Sequence, residues 1–197
     1  MKKILPIFVV ALSLALVWVV FFWQPQKQEH STSHAASNQL VGGDFLLQSA
    51  KGGIELKNFR GKVMLIYFGY TWCPDVCPTN LAMMAGALGQ LTEQEKDKVQ
   101  GLFISVDPER DNVNRLAEYT AFFHPSIIGA TSDAQAVKEL ASRYGSVYQK
   151  VQQDSATGYV VDHSSETYVV DPEGKLVERL PHGAPPEEIL NSIRKYM

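Results

Sequence analysis

The chain has 197 residues, 45% hydrophobic and 20% charged, with a formal net charge of −3 from 18 basic and 21 acidic side chains. That length suits one domain plus a tail or anchor, large enough to bury a core without disulfide support. The acidic balance argues against a nucleic-acid partner. The first element is the uncharged run ILPIFVVALSLALVWVVFFW, residues 4–23, behind MKK. About 20 apolar residues span a bilayer core, whereas a secretory leader has an apolar region of about 7–15 residues with a small-residue cleavage site close behind. Here Gln24-Pro25-Gln26-Lys27 follows, and the first small-residue candidates, Ala35 and Ala36, lie well beyond the run. Residues 1–23 are therefore read as a retained N-terminal transmembrane anchor, with a cleaved leader as the alternative. Lys2 and Lys3 put the N-terminus in the cytoplasm. The remainder then faces an extracytoplasmic space, periplasmic or outer, where thiols can be oxidised. Residues 24–38 are polar and aperiodic and read as a flexible linker, with His30 and His34 as solvated linker histidines.

The domain expected over residues 39–197 alternates strands and helices. Residues 62–70, KVMLIYFGY, form a near-continuous apolar run, as in a strand covered on both faces. Residues 78–91 predict a helix with Leu81, Met84, Leu88 and Leu91 on one face. Residues 99–106, VQGLFISV, give a second buried strand, and residues 111–122 a helix with Asp111 as N-cap. A short strand at 127–130 and a helix at 133–144 follow. Residues 167–170 and 175–179 flank D-P-E-G and predict a hairpin. Pro185 and Pro186 begin a last helix ending near Lys195. The order implies an α/β fold with a central, partly parallel sheet flanked by helices.

The segment TWCPDVCPTN, residues 71–80, holds both cysteines of the chain, Cys73 and Cys77. It joins the C-terminal end of a central strand to a helix N-terminus, where open α/β sheets place their sites. A helix N-terminus favours a thiolate, and a spacing of four lets both sulfurs face one way. As a structural disulfide, so small a ring contributes only about 2 kcal/mol. The functional readings are a redox dithiol, with Cys73 and Cys77 forming the disulfide, and a metal site. Structural zinc sites take four ligands, whereas thiolates select Cu(I) and imidazole also suits copper. His163, in YVVDHSSETYVVDP, is the candidate third ligand, placed on a loop leading into the strand at Thr167, although on position alone it reads more readily as a surface or hydrogen-bonded loop histidine. His124 and His182 read as structural or surface histidines, and Met83 and Met84 as core rather than copper ligands. A thioredoxin-fold peroxidase would need activating groups that the sequence does not offer.

Three motifs occur in one order: GYTWCPDVCPT at 69–79, SVDPERD at 105–111 and VDHS at 161–164. With the N-terminal anchor they resemble the Sco/SenC family of copper-binding, thioredoxin-like proteins over roughly residues 40–195. The resemblance implies a thioredoxin-like fold and a copper site, Cu(I) or Cu(II), made by Cys73, Cys77 and His163. It also implies a role in maturing the dinuclear copper centre of cytochrome c oxidase. The expected partners are the copper-centre subunit of that oxidase, an upstream copper donor or thiol reductant, and the membrane. Asp107 matches an acidic residue of the family's second motif, in a tuning or recognition role outside the ligand set. Two departures stand out: Asn112-Val113, where the family often has Thr-Pro, and Trp72 before the first cysteine. The chain is thus expected to be a copper chaperone, with thiol–disulfide reduction of the acceptor's cysteines as the rival activity.

Overall fold

The computed structural model describes residues 41–153 and 158–197. The anchor expected over 1–23, the linker over 24–38 and His30 and His34 lie outside the described residues. Among the described residues no helix is long and apolar enough to cross a membrane.

The central strand β3, Val63–Gly69, is buried at every position. It pairs in parallel with β4, Val99–Ser105, in a register that sets Gly69 beside Ser105. A parallel pair needs a crossover, and α1, Val76–Leu88, followed by the short α2, Glu93–Lys96, supplies it. β4 runs parallel to β5, Ile127–Thr131, through α3, Val113–Phe123. α4, Ala134–Tyr144, then closes on Gly145, whose φ of 74° is the left-handed conformation suited to glycine at a helix end. Ser146 N donates to Ala141 O at 2.8 Å and Gly145 N to Ser142 O at 3.0 Å, a six-residue and a four-residue closure that satisfy the last carbonyls.

Strands β8, Thr167–Val170, and β9, Leu176–Leu180, form the expected hairpin and extend the sheet antiparallel from β3. α5, Pro186–Tyr196, packs beside α1. The seven-stranded order is β2-β1-β5-β4-β3-β8-β9. Its far edge is the hairpin of β1, Leu46–Ser49, and β2, Gly52–Glu55, which the sequence reading did not include. A second addition is a separate two-stranded sheet of β6, Tyr148–Gln152, and β7, Tyr159–His163. His163 is thus the last residue of a strand, not part of a plain loop. Two boundaries also move: α1 begins at Val76 rather than Pro78, and α3 at Val113.

The core is one contiguous cluster around β3 and β4, including Leu65, Tyr67, Phe68, Phe103, Leu81 and Met84. Met84 is buried and Met83 packs partly against it. His124 follows α3 and accepts from Ser126 N through Nδ1 at 3.1 Å, a local structural contact.

Candidate metal centre

Because α1 starts at Val76, Cys77 lies in its first turn with no exposed surface, and half-buried Cys73 sits just before the helix. The side chain at the N-cap position, Asp75, makes no capping hydrogen bond. The Cys73 sulfur instead accepts the Cys77 N–H at 3.4 Å, satisfying one of the donors every helix start leaves open. Hydrogen bonding to Cys77 holds the Cys73 thiol down at about 3, helped by His163 and by first-turn N–H groups and opposed by burial. Burial pushes the Cys77 thiol up, and the adjacent Cys73 sulfur pushes it further. The pair therefore favours its first thiolate on Cys73 and keeps the proton longer on Cys77. Both cysteines are free.

β3 reaches this site through Gly69. A Cβ there would lie 2.6 Å from the Cys77 sulfur and 2.8 Å from Phe103 Cε2. Glycine lets the helix seat Cys77 against the strand. Gly69→Ala is expected to cost about 1–3 kcal/mol, the usual range for overpacking, and to weaken metal binding; thermal unfolding and metal titration check both. Tyr67, buried one turn of strand earlier, donates its hydroxyl toward the Cys77 sulfur at 3.9 Å.

His163 arrives from β7. Its Nδ1 lies 2.9 Å from the Ser164 carbonyl oxygen, which can only accept, so Nδ1 carries the proton. Nε2 faces the site, 3.2 Å from the Cys77 sulfur; it donates to a sulfur when the ring is protonated and offers its lone pair to a metal ion when the ring is neutral. A backbone partner that fixes the tautomer and aims the other nitrogen is the usual outer support of a metal-ligating histidine. The ring also stands edge-on to Tyr67 and Tyr70, at centroid distances of 6.1 and 5.8 Å. The two sulfurs and the imidazole nitrogen lie within 4.8 Å of one another, the one such convergence among the described residues. Cys73 and His163 border a cleft of about 380 Å³ shared with Tyr70, Val76, Val161 and Ser165, and Cys77 lies buried behind it.

The DPERD segment holds the two halves of this site in place. Both of its aspartates are fully buried. Asp111 is not the helix cap; Asn112 is, accepting Arg115 N at 3.0 Å, so that departure from Thr-Pro still starts the helix. The Asp111 carboxylate accepts from Thr71 N at 2.9 Å, Thr71 Oγ1 at 2.5 Å and Ser105 Oγ at 2.6 Å. It pins the cysteine loop to the ends of β3 and β4. Asp107 serves the other half. It accepts the Tyr159 hydroxyl at 2.8 Å and pairs with Arg110, whose Nη1 donates to Tyr159 O at 3.0 Å. The Arg110 guanidinium also lies 3.7 Å from the Tyr159 ring centroid. Tyr159 opens the strand that ends in His163. Asp107 therefore supports the histidine from outside the group of convergent atoms. Tyr70 adds a second tie, its hydroxyl accepting from Val161 N at 3.2 Å. Trp72 is 45% exposed beside Cys73, with Arg115 stacked 4.7 Å from its ring centroid.

Fold and site together define a thioredoxin-like α/β domain with a Cys-x₃-Cys pair at a helix N-terminus and a histidine aimed at it. The SCO1/SenC family model matches residues 33–197, and the chain belongs to this family. It is 36% identical over 176 residues to the mitochondrial SCO2 homolog of Homo sapiens, covering 88% of this chain and 65% of the human protein. It is 35% identical over 172 residues to the mitochondrial protein SCO2 of Saccharomyces cerevisiae, covering 86% of this chain and 57% of that one. The chain thus spans about two thirds or less of the length of these relatives. Among solved structures it is similar to copper-bound ScoI of Arabidopsis thaliana, with a TM-score of 0.73 and 36% identity, covering 79% of this chain and 97% of that one. Copper-bound yeast Sco1 gives a TM-score of 0.70 and 36% identity, covering 79% and 87% of the two chains.

Proposed function

We propose that the protein is a copper chaperone that binds one copper ion through Cys73, Cys77 and His163 and delivers it to the dinuclear copper centre of cytochrome c oxidase. The observation that carries this reading is the convergence of two sulfurs and one imidazole nitrogen within 4.8 Å at a sheet rim. Two thiolates and an imidazole suit Cu(I); Cu(II) would need a further ligand from water or a partner. Capture replaces the proton held by Cys77, so it releases acid. A half-buried Cys73 at the cleft lets an acceptor thiol exchange in stepwise, which suits transfer rather than storage. Residues 1–23 would anchor the domain on the extracytoplasmic face, beside a membrane-embedded acceptor. The acceptor is the copper-centre subunit of the oxidase, and an upstream donor or reductant reloads the site.

Cu(I) titration of the reduced full chain against a competing chelator tests this. A 1:1 site is expected, weakened at least about tenfold by His163→Ala, since even loss of an outer partner of a ligand costs about 10–100-fold. Equal affinity in the two proteins would overturn the three-ligand site.

One observation favours a second reading. A half-buried Cys73 held as thiolate beside a buried, protonated Cys77 is the arrangement of an attacking and a resolving cysteine. Cys73 would attack a sulfur of the acceptor's disulfide, and the displaced thiolate leaves. Cys77 then resolves the mixed disulfide, giving a reduced acceptor and an oxidised Cys73–Cys77 pair that an external dithiol must reset. Under this reading His163→Ala retains reductase turnover.

A further inference from the structure

Asn80 lies three residues beyond Cys77 on α1 and is 3% exposed. Its amide is engaged on both sides. Oδ1 accepts from His182 Nδ1 at 3.0 Å and from Gly183 N at 2.9 Å. Nδ2 donates to the Ser165 carbonyl oxygen at 2.5 Å. Two donors on the oxygen fix which way the amide faces, so the NH₂ group is turned to Ser165, with the Tyr67 hydroxyl also within its reach. The neighbouring peptide carries the Ser164 carbonyl that receives His163 Nδ1. Asn80 therefore grips the main chain next to the group that sets the rotation of the imidazole. It does so from the same helix that carries Cys77.

The segment 164–166 needs such a grip. It links β7, outside the main sheet, to β8 within it. Other ties act on the hairpin, Asp107 and Arg110 on Tyr159 and Tyr70 on Val161, or bind Ser164 back to Val147 just before β6. Asn80 instead couples the histidine's segment directly to the cysteine helix. We infer that Asn80 is a positioning residue of the metal site, acting through His163 by holding the Ser164–Ser165 main chain against α1. The inference rests on the three-ligand reading above. It also makes the turn of His182 and Gly183, itself exposed, part of the site's support.

The test is a double-mutant cycle on the full chain. Cu(I) affinity is measured by chelator competition for the parent, Asn80→Ala, His163→Ala and the double variant. The Cu(II) spectrum of each is recorded by electron paramagnetic resonance. Asn80→Ala is expected to weaken binding about tenfold, the lower end of what loss of an outer partner costs, and to shift the Cu(II) hyperfine pattern towards that of His163→Ala. In the His163→Ala background the same change should cost less than about twofold, because residues acting through one contact are not additive. Asn80→Asp should weaken binding at least as much, since it sets a carboxylate oxygen against the Ser165 carbonyl. His182→Ala removes one of the two donors that orient the amide. It should give a smaller loss in the same direction, and it serves if the Asn80 variants do not fold. A purely structural Asn80 would lower the melting temperature and leave the Cu(II) spectrum unchanged, which overturns the inference. Full additivity with His163→Ala overturns it too. If His163→Ala weakens binding and Asn80→Ala does not, the inference alone falls. If His163→Ala has no effect, the three-ligand reading falls with it.

Discussion

Asp111→Ala is expected to destabilise the protein by about 3–5 kcal/mol, from stranding the buried donors that its carboxylate satisfies. The carboxylate has no exposed surface and accepts three hydrogen bonds, two from Thr71 and one from Ser105. Alanine supplies no acceptor. The Thr71 N–H and the Ser105 O–H would then lack an acceptor in the interior, at about 1–3 kcal/mol each. Arg115, 3.7 Å from the carboxylate but 42% exposed, contributes little by comparison because water screens it. For a domain of this size the loss corresponds to a fall in melting temperature of about 6–20 °C. Copper affinity should fall as well, because Thr71 is the anchor of the loop that carries Cys73. Asp111→Asn keeps the shape and one acceptor and should cost less. A melting shift under about 2 °C for the alanine variant would show that the cluster is dispensable.

The role of Asp111 also marks where sequence reasoning ended. An acidic residue just before a helix has the local pattern of an N-cap, and nothing nearby in the chain shows that it points inward. Its partner Thr71 is 40 residues away. Asn80 is similar: its partners lie 85, 102 and 103 residues distant. By contrast β3 and β4 were legible because both faces are covered and the apolar runs are nearly unbroken. The helix at Ala134–Tyr144 was legible from local chemistry, with Asp133 accepting Ala136 N as its cap. Strand β6 was not. Its sequence YQKVQ offers two partly buried positions three apart and no alternation, since the small sheet covers little apolar surface. Missing that hairpin put His163 on a loop, although its meeting with the cysteines was expected from the family resemblance. The strand also accounts for the buried aspartate of the second motif, because Asp107 grips the strand at the opposite end from the histidine.

The second large effect concerns the reactivity of Cys73. An ordinary thiol, with a pKa of about 8.5, is thiolate in only about one molecule in 3,000 at pH 5, and that fraction grows several-hundredfold by pH 8. Cys73, held at about 3, is already ionised across this whole range. Its reaction with a pyridyl disulfide should therefore change less than about twofold between pH 5 and 8, and fall only as the pH drops towards 3. The absolute rate is a poorer guide. Nucleophilicity falls with pKa, with a Brønsted slope of about 0.4–0.5, so a thiolate 5 to 6 pK units less basic loses about 2.5 orders of magnitude. The two effects cancel near pH 6, where Cys73 and a reference peptide thiol should react at about equal rates before any steric hindrance. The slope survives hindrance, and it is the quantity to measure. Removing Cys77 takes away the largest cause of the depression, so Cys77→Ala should move the break in the profile to higher pH, and His163→Ala should move it less. A parent profile that climbs tenfold per pH unit from 5 to 8 would show Cys73 to be an ordinary thiol. The site would then have to lose two protons to take up a metal ion, rather than the one held on Cys77.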